Sequence, residues 1–259
     1  MGIVKLQLPR VSVCIPTYRG RATIGPAIES VLAQSLTDFE LIVIDDSSPD
    51  DTRAIVEGFA DPRPIYVRNE HNLGPQGNWN RCLELARGKY FKLLPHDDRL
   101  HPHCLERQVA VLDTDRDERI ALVFSARDVL GPEGRVITRR GYPGGREGPI
   151  AGGMVIRACV RRGTNLLGEP GAVLFRRQNR GLRCDEPLRH RPRKAVAITG
   201  LQSNLAGYRS SREMQGACAF VDPDWRDLLG DAHNRSRISG SLYFLNSVIF
   251  MPSTVAELS

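Results

Sequence analysis

VSVCIPTYRG (residues 11–20) and FELIVIDDSSPDDT (residues 39–52) decide the fold. Each opens with a short apolar run, Val11–Pro16 and Phe39–Asp45, and each breaks into polar, turn-forming residues. Apolar, β-branched runs bounded in this way read as strands buried on both faces. Between them, Ile24, Ala27, Ile28, Val31 and Leu32 recur at helical spacing within residues 22–35. The unit is strand–helix–strand, and a connection of that length joins parallel neighbours through a right-handed crossover.

The alternation continues outward. Ser48, Pro49 and Asp50 mark the start of a second helix running to about Ala60, with Pro49 in its first turn. PIYVRN (64–69) reads as a third strand and residues 76–87 as a third helix, closed by Gly88 as its C-cap. KYFKLL (89–94) is a fourth strand, His101–Asp113 a fourth helix and IALVFSA (120–126) a fifth strand. The expected class is α/β, a Rossmann-like, mostly parallel sheet flanked by helices. From residue 127 the pattern decays. GPEGRVITRRGYPGGREGP (131–149) reads as a hairpin and loop, and GAVLFRR (171–177) as one more strand. Residues 178–216, dominated by Arg, Pro, Gly and Ser, show no periodicity, and Ala219–Leu258 regains some helical character. The expected division is 1–126 and 127–259, the second part being irregular and basic.

Composition narrows the classes. At 259 residues, 41% hydrophobic and 25% charged, the chain can build a sizeable core. Its net charge is +6, and between Arg157 and Glu213 thirteen Lys or Arg stand against four Asp or Glu. Such a region favours anionic partners or is simply a solvated arginine-rich surface. No nucleic-acid-binding motif accompanies it, so nucleic acid is not an expected partner. The six cysteines form no CxxC pair and read as reduced thiols. The N-terminus carries no apolar leader, and no apolar stretch is long enough to span a bilayer. Leu242–Pro252 reads as a core helix or a surface-lying segment. A cytoplasmic protein, peripheral at the inner membrane face, is expected.

In parallel sheets ligands bind beyond the carboxyl ends of the strands. Those ends carry Pro16, Thr17 and Tyr18; Asp45 and Asp46; Asn72, Leu73 and Gly74; and His96, Asp97 and Asp98. Two acidic pairs at one sheet edge need donors or a cation, and a divalent metal bridging a diphosphate supplies one. The plainer reading makes both pairs helix caps. Trp79 reads as a packing residue. Arg176 and Arg177 read as diphosphate contacts or as solvated strand-end residues. His96 is a candidate ligand or an incidental neighbour.

VSVCIPTYRG, FELIVIDDSSPDDT and NLGPQGNWNRCLELARGKYFKLLPHDDRLHP (72–102) together resemble the N-terminal signature of family 2 glycosyltransferases, with a weaker echo in GTNLLGEPGAVLFRR (163–177). The resemblance covers residues 11–126 and implies a GT-A fold that binds nucleotide-diphosphate sugars. It implies that Pro16, Thr17 and Tyr18 lie against base and ribose, and that Asp46 hydrogen-bonds the base. Asp97 and Asp98 fall on the DXD-like motif, Asp97 reaching the ribose and Asp98 ligating Mg²⁺ or Mn²⁺. The implied reaction is inverting transfer to a lipid or polysaccharide acceptor in cell-envelope polysaccharide biosynthesis.

The sequence departs from this pattern twice. Pro95 stands where the DXD-like motif often has its first acid. No Asp or Glu occurs between Glu186 and Glu213, where a general base is expected, so Asp185 and Glu186 are the base candidates. The alternative is a catalytically impaired nucleotide-sugar-binding protein without a base. A nicotinamide-dependent dehydrogenase would need G-x-G-x-x-G after the first strand, and PTYRGR stands there instead.

Overall fold

The computed structural model describes residues 8–131, 133–145 and 147–177, together with a strand at 195–207. In chain order its elements are β1 (Val11–Thr17), α1 (Ile24–Leu32), β2 (Phe39–Asp45), α2 (Thr52–Glu57), β3 (Pro64–Arg68), α3 (Gly74–Leu85), β4 (Tyr90–Leu93), β5 (Asp98–Leu100), α4 (Cys104–Thr114), β6 (Ile120–Leu130), β7 (Val136–Arg140), β8 (Gly148–Ala151), α5 (Gly152–Arg162), β9 (Val173–Arg176) and β10 (Ala195–Gly207).

The described strands belong to one sheet, ordered β3-β2-β1-β4-β9-β6-β10-β5, with β7 beside β6 and β8 beside β10. The first four strands pair in parallel, Val11 opposite both Phe39 and Tyr90. The second half is mixed. β9 enters between β4 and β6 and runs antiparallel to both, so β6 keeps the direction of the first four strands. β10 pairs in parallel with β6 and antiparallel with β5 and β8.

Period-two alternation in the strands makes two apolar faces. Val11, Val13, Ile15, Leu41 and Val43 face α1, α2 and α4 through Ile28, Val31, Val56, Leu105 and Val109. Cys14, Ile42, Ile44, Phe91 and Leu93 face α3, where Cys82 is buried and Trp79 packs alongside. Each fully buried Leu or Ile is worth about 1.5–3 kcal/mol. A third cluster joins α5 to β6 and β8 through Phe124, Ile150, Val155 and Cys159.

Several expectations need correction. Thr52 rather than Ser48 begins α2. Ala86, extended at ψ 133°, ends α3. Gly88 is not a left-handed cap. A Cβ there would sit 2.5 Å from the Ser12 nitrogen, so glycine is required by close strand packing. The fourth helix, expected from His101, begins at Cys104, and just before it Asp98–Leu100 forms an unexpected short strand, β5, antiparallel to β10. The segment without visible periodicity contains β10, whose pairing with β6 carries register shifts. Of the hairpin and loop expected at 131–149, only β7 among the described strands lies wholly in that range, and it pairs antiparallel with Arg127–Leu130 of β6. Cys14, Cys82, Cys104 and Cys159 are buried free thiols.

Candidate functional site

The carboxyl edge of the parallel strands is assembled by backbone bonds between neighbouring strand ends. The Asp46 amide donates to the Thr17 carbonyl at 2.8 Å, Asn69 donates to Asp45 at 2.8 Å, and Leu94 donates to Cys14 at 2.9 Å. Pro16, Thr17, Tyr18, Asp46, Asp97 and Asp98 are thereby brought to one edge, as the spacing of the motifs required. Arg19 (φ 54°) and Ser47 (φ 62°) hold left-handed backbone there without being glycine. Strain of this kind costs about 1–3 kcal/mol per residue and concentrates at working sites.

The two aspartates after β2 have different jobs. Asp45 is fully buried and accepts from the Ser48 amide at 3.0 Å, the Arg68 guanidinium at 2.8 Å and the Tyr66 hydroxyl. Burial, and then the bond to Asp45, push the Tyr66 phenol up to about 12, so it stays a donor. Asp45 is an anchor of the loop. Asp46 places one oxygen, Oδ1, between the Asn69 side-chain amide and the Leu73 backbone amide, each at 2.8 Å. Asn78 braces Asn69 at 3.0 Å and donates to the Ile44 carbonyl at 3.0 Å. This fixes the Asp46 carboxylate while no described group bonds its second oxygen. Neither aspartate caps a helix; Asp51 holds the N-cap position of α2.

Beside Asp46, Thr17 is 2% exposed and its hydroxyl oxygen has no hydrogen-bond partner among the described residues. Gly20 makes room for it, since a Cβ there would fall 2.2 Å from that oxygen. Tyr18, 41% exposed, projects from the same loop, and Arg19 lies over its ring at 5.4 Å. His96 Nδ1 is hydrogen-bonded to the Thr23 hydroxyl at 2.8 Å, which fastens the segment after β4 to the loop after β1.

Asp97 is half-buried, and Asp98 is 5% exposed with no hydrogen bond to its carboxylate among the described residues. Burial first, then the charges of Asp97 and Glu169, push the Asp98 carboxyl well above the usual carboxylate range; Arg127 and Lys92 work against this. These aspartates are not caps either, because His103 occupies the N-cap position of α4. Among the described residues, no group of three or more His, Cys, Asp or Glu side chains is close enough to hold a metal by itself. The chemistry of Asp97 and Asp98 nonetheless suits a hard divalent cation. They offer carboxylate oxygens, one buried and unbonded, and Mg²⁺ and Mn²⁺ complete their shells with water and substrate phosphates.

A second layer lies beneath this edge that the sequence did not reveal. Lys92 is completely buried, and its ammonium donates to Gln108 Oε1 at 2.9 Å. Burial pulls the Lys92 pKa below its ordinary value. Gln108 donates in turn to the Ser125 hydroxyl and the Ala172 carbonyl, both at 2.8 Å. Arg127 is 3% exposed and forms an ion pair with Glu169.

The arginines at the end of β9 are displaced from the expected position. β9 is antiparallel to β4, with Arg176 opposite Tyr90, so they stand at the opposite edge of the sheet. Arg176 donates to the Leu112 carbonyl at 2.7 Å and pairs with Asp115 at 3.1 Å. Arg177 donates to the Gly88 and Ala86 carbonyls. Asp185 and Glu186, the base candidates, and Leu242–Pro252 lie outside the described residues.

The chain is similar to known proteins. The pattern described as "Glycosyl transferase family 2" matches residues 12–165. An uncharacterized Mycobacterium tuberculosis protein, MT1568, is 37% identical over 179 residues, 66% of this chain and 54% of that protein. The Escherichia coli UDP-Glc:alpha-D-GlcNAc-diphosphoundecaprenol beta-1,3-glucosyltransferase WfaP is 34% identical over 41% of this chain and 42% of its own. A Campylobacter jejuni GalNAc(5)-diNAcBac-PP-undecaprenol beta-1,3-glucosyltransferase is 38% identical over 45% and 38%. The chain thus spans about half, or less, of the length of these curated relatives. Among solved structures, S. aureus TarS 1-349 in complex with UDP-GlcNAc superposes with a TM-score of 0.60 at 19% identity, over 92% of this chain and 72% of TarS. That likeness identifies the fold as GT-A. With the family pattern matched over more than half its length, the chain belongs to glycosyl transferase family 2.

Proposed function

We propose that the chain carries the donor-binding part of an inverting glycosyltransferase, which moves a sugar from a nucleotide-diphosphate sugar to a lipid-linked or polysaccharide acceptor. The observation that carries this reading is the edge where the braced Asp46 carboxylate, the unpartnered Thr17 hydroxyl and the buried Asp98 carboxylate face the same side of the sheet. Each is a polar group whose bonding is left incomplete by the protein; a nucleoside has the complementary donors, and a divalent cation would join the anionic diphosphate to the acidic edge.

In this reading Asp46 accepts from the base, Pro16, Thr17 and Tyr18 line base and ribose, and Asp97 bonds the ribose. Asp97 and Asp98 are the residues that would hold Mg²⁺ or Mn²⁺. A divalent cation there supplies Lewis-acid stabilisation of the departing diphosphate. The acceptor hydroxyl oxygen attacks the anomeric carbon as the bond to the diphosphate oxygen breaks. The hydroxyl proton passes to a carboxylate, for which Asp185 and Glu186 are the candidates, and nucleoside diphosphate leaves.

Two glucosyltransferase relatives act on undecaprenol-linked diphosphate acceptors, and this supports a lipid diphosphate as acceptor here. Among the described residues no helix is long and apolar enough to cross a membrane. The basic composition after Arg157 suits peripheral contact with the anionic inner face. The lack of acids between Glu186 and Glu213 favours the second reading, a protein that binds the donor without turning it over.

Calorimetric titration with UDP and GDP, with and without Mn²⁺, tests the donor site. Metal-dependent binding that disappears in Asp98→Ala is expected. Binding of neither nucleotide would sink the proposal. Release of labelled sugar onto a polyprenyl-diphosphate glycan separates the enzyme from the silent binder.

A further inference from the structure

The Arg127–Glu169 pair has a position that local packing does not require. Arg127 lies on β6, three residues beyond Phe124, which pairs with Val173 at the start of β9. A charged side chain only 4% exposed is costly to bury and persists only when paired. Its ion-pair partner is Glu169, whose side chain is 35% exposed, while Asp98 feels its charge without forming an ion pair with it among the described residues.

The loop carrying Glu169 is shaped around the guanidinium. Gly168 adopts φ +95°, and a Cβ there would fall 3.0 Å from Arg127 Nη1 and 3.2 Å from its Cζ. Asn165 ties the loop by donating to the Gly168 carbonyl at 2.6 Å and accepting from the Leu167 amide at 2.9 Å. The turn Pro170–Ala172 that follows contacts β5, which begins with Asp98. Asp98 therefore lies in the field of one buried cation and one carboxylate that are ion-paired with each other.

We propose that Glu169 is a positioning residue that engages Arg127 and so keeps this buried cation from pairing with Asp98, leaving the Asp98 carboxylate available to the donor's divalent cation. This inference rests on the donor-site reading above. The two partners then act on metal affinity with opposite signs. Removing the Glu169 charge turns Arg127 toward Asp98 and weakens cation binding. Removing the Arg127 charge leaves Asp98 more negative and strengthens it. A pair that only holds the loop would give losses in both variants. At an effective dielectric near 20, one unit charge several ångströms away changes cation affinity by about tenfold or more.

Mn²⁺ binding, read by the electron-paramagnetic-resonance signal of free Mn²⁺ in the presence of UDP, tests this without any sugar transfer. Melting without metal is measured in parallel on the full chain. Glu169→Gln, nearly identical in shape, is expected to weaken Mn²⁺ about tenfold, Glu169→Asp to restore part of the loss, and Arg127→Met to tighten binding. In the double variant the Glu169→Gln penalty should largely vanish. Should Arg127→Met fail to fold, the contrast between Glu169→Gln and Glu169→Asp still decides. Unchanged Mn²⁺ affinity in Glu169→Gln, with or without a lower melting temperature, overturns the inference, as does weaker binding in a folded Arg127→Met. If the unaltered chain shows no metal-dependent UDP binding, the donor-site reading fails and this one with it. If it binds and only Asp98→Ala loses binding, the donor site stands and the Glu169 role alone falls.

Discussion

The first four strands and the later ones solve different problems with one sheet. Residues 11–94 form a parallel block in which local helices connect successive strands and the polar residues after the strands land on the same edge. Residues beyond 120 form a mixed block, where β9 runs against its neighbours and β10 pairs across long separations. The parallel block delivers site residues by repetition. The mixed block delivers them by reversal: the turn before β9 brings Glu169 beside Arg127 and Asp98, and the end of β9 carries Arg176 to the opposite edge. In the proposed reading the donor edge depends on a joint between the two blocks, and the joint is where substitutions are most informative.

The largest expected effect tests whether the edge is one site. Asp98→Ala should lower metal-dependent UDP affinity by about a hundredfold or more, in keeping with the loss of a charged ligand. Retained affinity by calorimetry would separate the acidic pair after β4 from nucleotide binding. Gly88→Val breaks the parallel block itself. Its Cβ meets the backbone of Val11 and Ser12 at 2.7 and 2.5 Å, which cannot be relieved by a rotamer change. A loss of about 3 kcal/mol in denaturant unfolding is expected, and a wild-type midpoint would show that the strands separate at no cost.

Arg176→Met tests the opposite edge. It removes the bonds to Leu112 and Asp115 while leaving the donor edge untouched. A loss of about 2 kcal/mol with unchanged UDP affinity is expected. Altered nucleotide affinity would mean that the two edges communicate. The smallest effect concerns acid stability. Against the cost of burial, bonds from Tyr90, Arg10 and Lys89 lower the Asp113 carboxyl to about 2. Its unfolded value is higher, so its contribution is fully present above about pH 4 and is lost as the pH falls through about 2. Solvent screens this partly exposed cluster, so Asp113→Asn should cost only about 1 kcal/mol at neutral pH. The variant should also flatten the stability profile between pH 4 and 2, and an unchanged profile would show that Asp113 is not held in this way.

Legibility followed the same division. Asp46, Asp97 and Asp98 could be placed because they lie within a few residues of the ends of apolar runs whose parallel pairing fixes where those ends point. The distinction between Asp45 and Asp46 could not, since it depends on Tyr66, Arg68, Asn69 and Leu73 arriving from the next strand and loop. Lys92 sits in the apolar run YFKL as a charged residue, and only its burial against Gln108 shows that it serves the layer below the site. The short strand Asp98–Leu100 had no pattern of its own, and neither did β10, whose composition of small and polar residues hides its pairing.

The sequence by itself determined the alternation of strands and helices through residue 126, the acidic strand ends and the family, because periodic burial and short crossovers are local consequences of residue order. Only the tertiary structure decided the direction of β9, and with it the meeting of Arg127 and Glu169 beside Asp98 and the removal of Arg176 to the far edge. Strand direction is set by which distant partner completes the backbone hydrogen bonds, and an apolar run such as VLFR fits either orientation equally well.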